Sequence, residues 1–162
     1  MEFALLQRKG PGEALVFGEG EATFCQWLKR RIYGAGYHDI YGLGIRNSGK
    51  YIPPISKRAV EPDPSVFGSP FIDGELSAHG LRSLPIETER GCPYLCTFCH
   101  YGKRTVLTRS MDLILSDIEV ARINGIPEVY ILSPSFNISR NFEDVCKEIA
   151  KINSDRALRI FV

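Results

Sequence analysis

The segment 90–100 reads RGCPYLCTFCH and carries three of the five cysteines in this 162-residue chain. These cysteines, Cys92, Cys96 and Cys99, have the spacing C-x3-C-x2-C. Three thiolates are one ligand short of the four that usually close a cubane iron–sulfur cluster. A metal site with an open position can bind a small molecule, as catalytic zinc sites bind water or substrate. The spacing therefore predicts a [4Fe–4S] cluster in which one iron remains open to a small molecule.

Two other interpretations of the cysteines fit less well. Three cysteines and a distant histidine can bind zinc, but structural zinc sites usually combine two closely spaced pairs. Disulfides are disfavoured because the number of cysteines is odd and because the start, Met1-Glu2-Phe3, lacks the pattern of a secretory signal. A reducing, cytoplasmic location is therefore expected. Cys25 and Cys146 lie on predicted helices, where we expect them to be buried as small apolar residues.

The composition is that of an ordinary globular protein, with 44% hydrophobic and 24% charged residues. The length is sufficient for one domain with a substantial core. The net charge of +1 gives no reason to expect a nucleic-acid partner. No apolar run approaches the ~20 residues of a membrane span, so no membrane partner is expected.

The first half of the chain combines short strand signals with one helix signal. The apolar run 14–17 and the segment 41–46 predict strands, the second running into a turn at 47–49. Apolar spacing predicts a helix over 22–33 with one buried face. The apolar positions of this helix are Phe24, Trp27, Leu28 and Ile32. Prolines between residues 50 and 80 disfavour a helix and predict a long, largely extended connection.

From residue 81 onward, strand and helix signals alternate. The predicted elements are a strand at 84–87, a helix from Ser110 to about Asn124, a strand at 128–132, a helix after Asn141 and a strand at 158–162. Ser110 and Asn141 are the expected N-caps. Strands that alternate with helices in this way indicate a parallel sheet with right-handed crossovers, and thus an α/β fold.

The cysteine spacing, with Phe98 directly before the third cysteine, resembles the signature of the radical S-adenosylmethionine (SAM) enzymes. The preceding sequence PIETERGCPY, at 85–94, is similar to the version found in members with an N-terminal cobalamin-binding domain. The segment 16–24 is similar to the last strand and helix of that domain, and 69–74 resembles the interdomain linker. The resemblance therefore extends over nearly the whole chain.

This resemblance implies a fold and a division of the chain. The expected fold is the N-terminal part of a radical SAM partial (β/α)6 barrel, preceded by the tail end of a Rossmann-like cobalamin-binding-type domain. Residues 1–50 would be the remnant of the latter domain, 51–80 a Pro-rich interdomain linker and 81–162 an incomplete radical SAM core. The sequence has no Asp-x-His-x-x-Gly motif of the cobalamin domain. Cobalamin is therefore expected as a cofactor of a full-length relative.

The resemblance also assigns roles to individual residues and names none as catalytic. The three cysteines would bind the [4Fe–4S] cluster, whose open iron would take the amino and carboxylate groups of SAM. Phe98 would lie against the adenine; alternatively, it packs the loop against the barrel. The short motif that binds the SAM amino group corresponds to Ser133, Pro134 and Ser135. Its alternative interpretation is an ordinary strand-to-helix turn.

Charged residues surround the cysteine motif. Glu87, Glu89 and Arg90 precede it, and a nearby cation could tune the cluster potential. The alternative is that these charges pair with one another at the end of a strand. Arg109 follows the motif and is expected on a solvated face.

The function implied by the resemblance is reductive cleavage of SAM at the cluster, which starts radical modification of an unknown substrate, with methylation as one outcome. The alternative is a non-catalytic iron–sulfur-binding fragment, or a split subunit that needs a partner chain to complete the barrel. The expected partners are therefore SAM, the substrate and, in the second case, another chain.

Overall fold

The computed structural model describes residues 14–47, 50–55, 63–94, 96–99 and 105–162. The chain divides into two compact units, Met1–Pro62 (unit 1) and Asp63–Val162 (unit 2). Within the described ranges, no helix is both long and apolar enough to cross a membrane. Each unit has a sheet and a core of its own.

Unit 1 contains strand β1 (Ala14–Val16), helix α1 (Gly20–Tyr33) and strands β2 (Leu43–Asn47) and β3 (Lys50–Ile52). The three strands pair in the order β1-β2-β3, and both pairings are antiparallel. After α1, the chain returns to the carboxyl end of β1, where the Phe17 N–H donates to the Gly42 carbonyl at 2.8 Å. Strand β2 therefore leaves in the opposite direction to β1. The predicted turn at 47–49 lies largely outside the described residues.

The apolar face of α1 differs from the prediction. Trp27 packs against the small core of Ile40, Leu43 and Ile45 as expected. Phe24, Leu28 and Ile32 are exposed, however, and Ile32 retains 68% of its accessible surface. The expectation of one fully buried face is therefore wrong. Among the described residues, the core of unit 1 has only three buried residues, and of the predicted stripe only Trp27 packs against it.

Cys25 also differs from its prediction, because it lies on the exposed surface of α1. Cys146 is half-buried and packs against the core of unit 2, as predicted. The difference follows from the unequal burial of the helices that carry them. A cysteine on a helix is buried only where a neighbouring element covers its face.

Unit 2 is built on a parallel sheet, as the alternating pattern predicted. The sheet comprises β4 (Ser83–Glu87), β7 (Glu128–Leu132) and β8 (Arg159–Phe161), in the order β4-β7-β8. The crossovers contain α2 (Met111–Ile123) and α3 (Phe142–Ile152). Between β4 and α2, the strands β5 (Glu89–Arg90) and β6 (Leu107–Thr108) form a separate two-stranded antiparallel ribbon. The α/β architecture with a parallel sheet is therefore confirmed.

The helix starts of unit 2 show one correct and one incorrect prediction. The Ser110 hydroxyl accepts a hydrogen bond from the Leu113 N–H at 3.4 Å, so Ser110 caps α2 as expected. Asn141 precedes α3 but makes no side-chain capping bond. Its backbone, with φ −105° and ψ 13°, is outside the extended region that directs a cap side chain at the first turn.

Residues 63–80, for which an extended connection was expected, belong to unit 2. They begin with a short 3-10 helix, Pro64–Phe67, capped by Asp63, whose carboxylate accepts from the Ser65 N–H at 2.8 Å. Phe71 and Ala78 then join the core formed by the sheet and its helices. The prolines exclude an α-helix here, but they do not prevent the segment from packing.

Candidate functional site

The parallel register brings two loops to the same edge of the unit 2 sheet. Glu87, the last residue of β4, lies opposite Leu132, the last residue of β7. The chain leaving β4 reaches Cys92 through the β5 ribbon, and the chain leaving β7 continues as Ser133–Ser135. The Cys92 Sγ consequently lies 3.8 Å from the Ser135 Oγ. The carboxyl edge of a parallel sheet is where α/β proteins place their binding sites.

Gly91, directly before the first motif cysteine, is required by the local geometry. Its φ is +93°, and a Cβ at this position would lie 2.0 Å from the Thr105 carbonyl oxygen. Only glycine satisfies both the backbone conformation and this close approach. Gly91 therefore fixes the direction in which the chain enters the cysteine loop.

The three motif cysteines are not equally placed. Cys92 is buried, at 8% exposure, whereas Cys96 and Cys99 are exposed. The Cys99 N–H donates to the Cys96 carbonyl at 3.0 Å, which forms a tight turn. All five cysteines are within the described ranges, and none forms a disulfide bond. Cys92 thus lies buried at the sheet edge, whereas Cys96 and Cys99 lie on an exposed turn.

The described residues contain no group of three or more cysteine, histidine, aspartate or glutamate side chains arranged to hold a metal ion. The structure therefore does not bring the three cysteines into ligand geometry. Their chemistry nevertheless fits an iron–sulfur cluster, because thiolates are the ligands of such clusters and all three thiols are on one short loop. By its chemistry, the donor set therefore fits the implied group.

Phe98 and Tyr94 project from this loop into solvent. Phe98 is 86% exposed, so it neither packs the loop against the sheet nor contacts another described ring. Tyr94 is also more than half exposed. The loop therefore presents an aromatic surface next to the exposed cysteines.

The segment Ser133–Ser135 forms a hydrogen-bonded turn at the end of β7. The Ser133 hydroxyl donates to the Glu89 Oε1 at 2.5 Å, and the Ser133 Oγ accepts from the Ser135 N–H at 3.1 Å. The turn continues into a 3-10 helix, Phe136–Ile138. The structure thus brings Ser133, Ser135 and Cys92 together, while Phe98 is not part of this group.

Glu89 is the residue whose importance the sequence did not reveal. It is only 1% exposed, and its Oε2 has no hydrogen-bond partner among the described residues. Burial raises the pKa of Glu89 above its ordinary value, while the hydrogen bond from the Ser133 hydroxyl opposes the shift. Strand alternation buries Leu84, Ile86 and Thr88 and would have placed Glu89 outside. The strand break at Thr88 reverses the alternation, and no local signal predicted it.

Arg90 and Glu87 pair with each other, which agrees with the structural interpretation of these charges. The Arg90 Nε lies 2.7 Å from the Glu87 Oε1. The Arg90 guanidinium also lies over the Phe67 ring, 5.9 Å from its centroid. Arg90 thereby ties the residues directly before the cysteine motif to the 3-10 helix at the start of unit 2.

Arg109 is buried, and its prediction as a solvated residue is wrong. Its Nη1 lies 2.5 Å from the Asp117 Oδ2, and its Nη2 donates to the Gly68 carbonyl at 2.9 Å. The Ser69 hydroxyl donates to the other oxygen of Asp117. This network of hydrogen bonds connects the 63–80 segment to α2.

An open cavity of about 680 Å³ lies beside the β5–β6 ribbon. Its walls come from the chain around β6 and from the residues after the 3-10 helix that follows β7. The lining residues are Asp63, Thr105, Val106, Leu107, Thr108, Ile138, Arg140 and Asn141. The volume is within the range of small-molecule sites. Thr105 also packs against Gly91, so the cavity adjoins the entrance to the cysteine loop.

No protein-family model matches the chain. Among curated proteins, the chain is 25% identical over 151 residues to 2-(S-pantetheinyl)-carbapenam-3-carboxylate methyltransferase of Streptantibioticus cattleyicolor. It is 26% identical over 156 residues to the cobalamin-dependent radical SAM methyltransferase TokK of Streptomyces tokunonensis. These matches cover 85% and 88% of the chain but only 22% and 23% of the relatives. The chain therefore spans less than a quarter of the length of these relatives.

Solved structures show the same relationship at the level of the fold. The radical SAM methyltransferase TsrM of Kitasatospora setae, with tryptophan and a SAM analogue bound, matches 93% of the chain with a TM-score of 0.69 and 19% identity. The cobalamin-dependent SAM radical enzyme OxsB, with aqua-cobalamin bound, matches 99% of the chain with a TM-score of 0.63 and 22% identity. The chain covers 32% of the TsrM chain and 24% of the OxsB chain. The chain is thus similar in sequence to part of the cobalamin-dependent radical SAM methyltransferase TokK, and its fold matches part of the radical SAM enzymes TsrM and OxsB.

Proposed function

We propose that this chain provides the cluster-binding part of a radical SAM enzyme of the cobalamin-dependent type. The observation that carries the proposal is the C-x3-C-x2-C loop at the carboxyl edge of a parallel sheet, with Cys92 buried beside Ser135. A thiolate anchored at this edge is well placed to start a ligand set that the following turn completes. The homology supports the same assignment.

In this proposal, Cys92, Cys96 and Cys99 are the three protein ligands of a [4Fe–4S] cluster. When bound, such a cluster supplies the electron for reductive cleavage of SAM, which begins radical modification, including methylation, of a substrate not yet known. Cys92 fixes the position of the site because it is buried in the sheet edge. Cys96 and Cys99 close the site from the exposed turn.

The residues after β7 are proposed to bind SAM. Backbone carbonyls of Ser133, Pro134 and Ser135 suit an ammonium donor, because carbonyl oxygens accept hydrogen bonds from charged nitrogen. Phe98 is proposed to stack on the adenine ring, and its exposed position leaves the aromatic face accessible. Both assignments follow the resemblance of the motif and are supported by its location at the sheet edge.

The division of the chain is proposed along the same lines. Residues 1–50 would be the end of a cobalamin-binding-type domain, 51–80 the connecting segment and 81–162 the beginning of the radical SAM core. The strands β4, β7 and β8 would be the first three strands of a partial barrel. Cobalamin would be bound in the full-length enzyme, as the names of the relatives TokK and OxsB indicate for those proteins.

The test is anaerobic reconstitution of the 162-residue chain with iron and sulfide. We expect about four irons and four sulfides per chain and an electron paramagnetic resonance signal after reduction. Replacing Cys92, Cys96 or Cys99 by Ala should abolish cluster binding in each case. The matched controls are Cys25→Ala and Cys146→Ala, which remove cysteines outside the loop and should retain the cluster. Zinc in place of iron, or a full cluster in Cys96→Ala, would disprove the assignment.

A second candidate is a cluster-binding fragment or split subunit that requires a partner chain. The specific observation in its favour is the exposed side of the site, with Cys96, Cys99 and Phe98 all open to solvent. Strand β8 also pairs on only one side among the described strands, and its neighbour Val162 is exposed. An exposed strand edge readily pairs with further strands.

Turnover separates the two candidates. We expect the purified monomeric chain to bind a cluster but to cleave SAM poorly or not at all, because solvent has access to the site. Multi-turnover release of 5′-deoxyadenosine by this monomer under dithionite would exclude the requirement for a partner. Activity that appears only on adding the remaining barrel strands as a second polypeptide would support it.

A further inference from the structure

Three hydrogen bonds, made through Ser133 and Ser135, connect the buried carboxyl of Glu89 to the sulfur of Cys92. The Ser133 hydroxyl donates to Glu89 Oε1, the Ser135 N–H donates to the Ser133 oxygen, and the Ser135 hydroxyl lies beside the Cys92 sulfur. The respective distances are 2.5, 3.1 and 3.8 Å. The four residues come from the ends of two neighbouring strands and are not adjacent in sequence.

We propose that Ser135 donates a hydrogen bond to the cluster-ligating thiolate of Cys92 and raises the reduction potential of the cluster, with Glu89 and Ser133 as the residues that position Ser135. This inference rests on the proposed function, because it requires a cluster on Cys92. It goes further by assigning the serine and glutamate side chains a role in tuning rather than in binding SAM.

The direction of each bond follows from the chemistry of the groups. A ligating thiolate has no proton, so only the Ser135 hydroxyl can be the donor in that pair. The single proton of Ser133 is directed to Glu89, which leaves the lone pairs of Ser133 to accept from the Ser135 backbone. The carboxyl thus determines the orientation of Ser133, and Ser133 determines the position of the Ser135 backbone.

The surroundings of these hydrogen bonds favour a fixed position of the Ser135 side chain. Glu89 and Cys92, at the two ends of this series of bonds, are buried, and Ser133 and Ser135 are half-buried. Hydrogen bonds in a low-dielectric environment are electrostatically stronger than in water. Hydrogen bonds to ligand sulfurs withdraw electron density and are among the factors that set cluster potentials. Cys92 is buried next to Ser135, and it is therefore the ligand on which this hydrogen bond acts.

The experiment measures the midpoint potential of the reconstituted 162-residue chain by reductive titration followed by electron paramagnetic resonance. Ser135→Ala should shift the potential to a more negative value at unchanged iron and sulfide content. Ser135→Thr keeps a hydroxyl and should restore the potential towards that of the unmodified chain. Ser116→Ala, on the exposed side of α2, is the matched control and should cause no shift.

The positioning role of Glu89 has a separate signature. Glu89→Ala removes the acceptor for Ser133 and should shift the potential in the same direction as Ser135→Ala. Glu89→Gln retains an oxygen acceptor and should rescue the potential. The double variant of Glu89→Ala and Ser135→Ala should shift no further than Ser135→Ala alone, because both changes act through one bond.

Each outcome bears on a distinct claim. Equal potentials for Ser135→Ala and the unmodified chain, at equal cluster content, would overturn this inference and leave the proposed function intact. Additive shifts in the double variant would overturn the positioning role of Glu89. Failure of the unmodified chain to bind iron and sulfide would instead refute the proposed function on which the inference rests.

Discussion

The two units differ in how completely they bury their helices. In unit 2, α2 and α3 pack with the parallel sheet around a continuous core that includes Leu84, Ile118 and Val129. In unit 1, the core comprises Ile40, Leu43 and Ile45, and most of the apolar face of α1 is exposed. Both units contain helices with apolar stripes, so the amphipathic pattern does not by itself decide burial. What differs is the number of elements that pack against the helices, because in unit 2 the two helices also contact each other and the core includes Phe71 and Ala78 of the 63–80 segment.

The units also differ in their buried charge. Unit 2 encloses the pair Arg109–Asp117, with both side chains almost fully buried. The corresponding pair in unit 1, Arg30–Asp39, is solvent-exposed. A buried charge that loses its partner is strongly destabilising, whereas an exposed pair contributes little. The cysteine loop therefore belongs to the unit in which removing one partner of an ion pair lowers the free energy of unfolding more.

The largest expected effect is that of Asp117→Ala. The substitution leaves Arg109 buried without its carboxylate and also removes the acceptor of Ser69. We expect the free energy of unfolding of unit 2 to fall by about 3–5 kcal/mol. Urea denaturation followed by far-ultraviolet circular dichroism, which detects α2 and α3, measures the change.

The control for Asp117→Ala is Glu119→Ala, on the same helix. Glu119 pairs with Arg122 at 3.7 Å, but both side chains are more than 40% exposed. We expect this variant to change the free energy of unfolding by about 0.5 kcal/mol or less. Equal losses in the two variants would show that the buried network has no special role.

The next effect is that of truncating one core residue in each unit. Leu84→Ala removes a fully buried side chain from unit 2 and should lower the free energy of unfolding by about 2–5 kcal/mol. Ile40→Ala in unit 1 should lie at the lower end of that range, because its smaller surroundings can relax around the change. Trp27, the only tryptophan, reports unfolding of unit 1 by fluorescence. A larger loss for Ile40→Ala than for Leu84→Ala would reverse the comparison.

The pH dependence of the free energy of unfolding should include contributions of opposite sign from a carboxyl group in each unit. Because burial raises the pKa of Glu89, its stabilising contribution is present at low pH and is lost as pH rises through the folded pKa. Relative to the unmodified chain, Glu89→Gln should therefore gain stability as pH rises above about 4.3, the ordinary pKa of glutamate. Unfolding free energies measured between pH 4 and 8 test this slope, and parallel curves for the two proteins would contradict it.

In unit 1, Asp39 is the carboxyl group whose pKa is shifted in the opposite direction to that of Glu89. The hydrogen bond from Arg30 lowers the pKa of Asp39, so its contribution is present near neutral pH and is lost as pH falls through the folded pKa. Asp39→Asn should therefore reduce the dependence of unit 1 stability on acid. The effect should be small because the pair is exposed, and Trp27 fluorescence across the same pH series measures it.

The smallest effect on stability should come from the exposed face of α1. Ile32→Ser should change the free energy of unfolding by about 0.5 kcal/mol or less, because the side chain is already exposed. The same substitution at Ile149 of α3, which is buried, should be severe. Light scattering should also show less self-association for Ile32→Ser, since the change reduces an apolar patch. A large loss of stability would show that this face is covered.

The sequence by itself determined the local elements of unit 2 and the donor set of the site. The strand at 128–132, the helix capped by Ser110 and the parallel order all follow from periodicity and capping, which act over a few residues. The prediction that Cys92, Cys96 and Cys99 bind a cluster likewise rests on their spacing along the chain. These features depend on neighbours in sequence, and they can therefore be predicted from the sequence alone.

Only the tertiary structure decided which side chains are buried together. The partners Glu89 and Ser133 are 44 residues apart, Cys92 and Ser135 are 43 apart, and Ser69 and Asp117 are 48 apart. Such contacts depend on the pairing of β4 with β7 and on the docking of the 63–80 segment, which no local pattern encodes. The exposed face of α1 and the buried Arg109 have the same cause. Periodicity shows that a face is apolar, but burial depends on the distant segment that covers it.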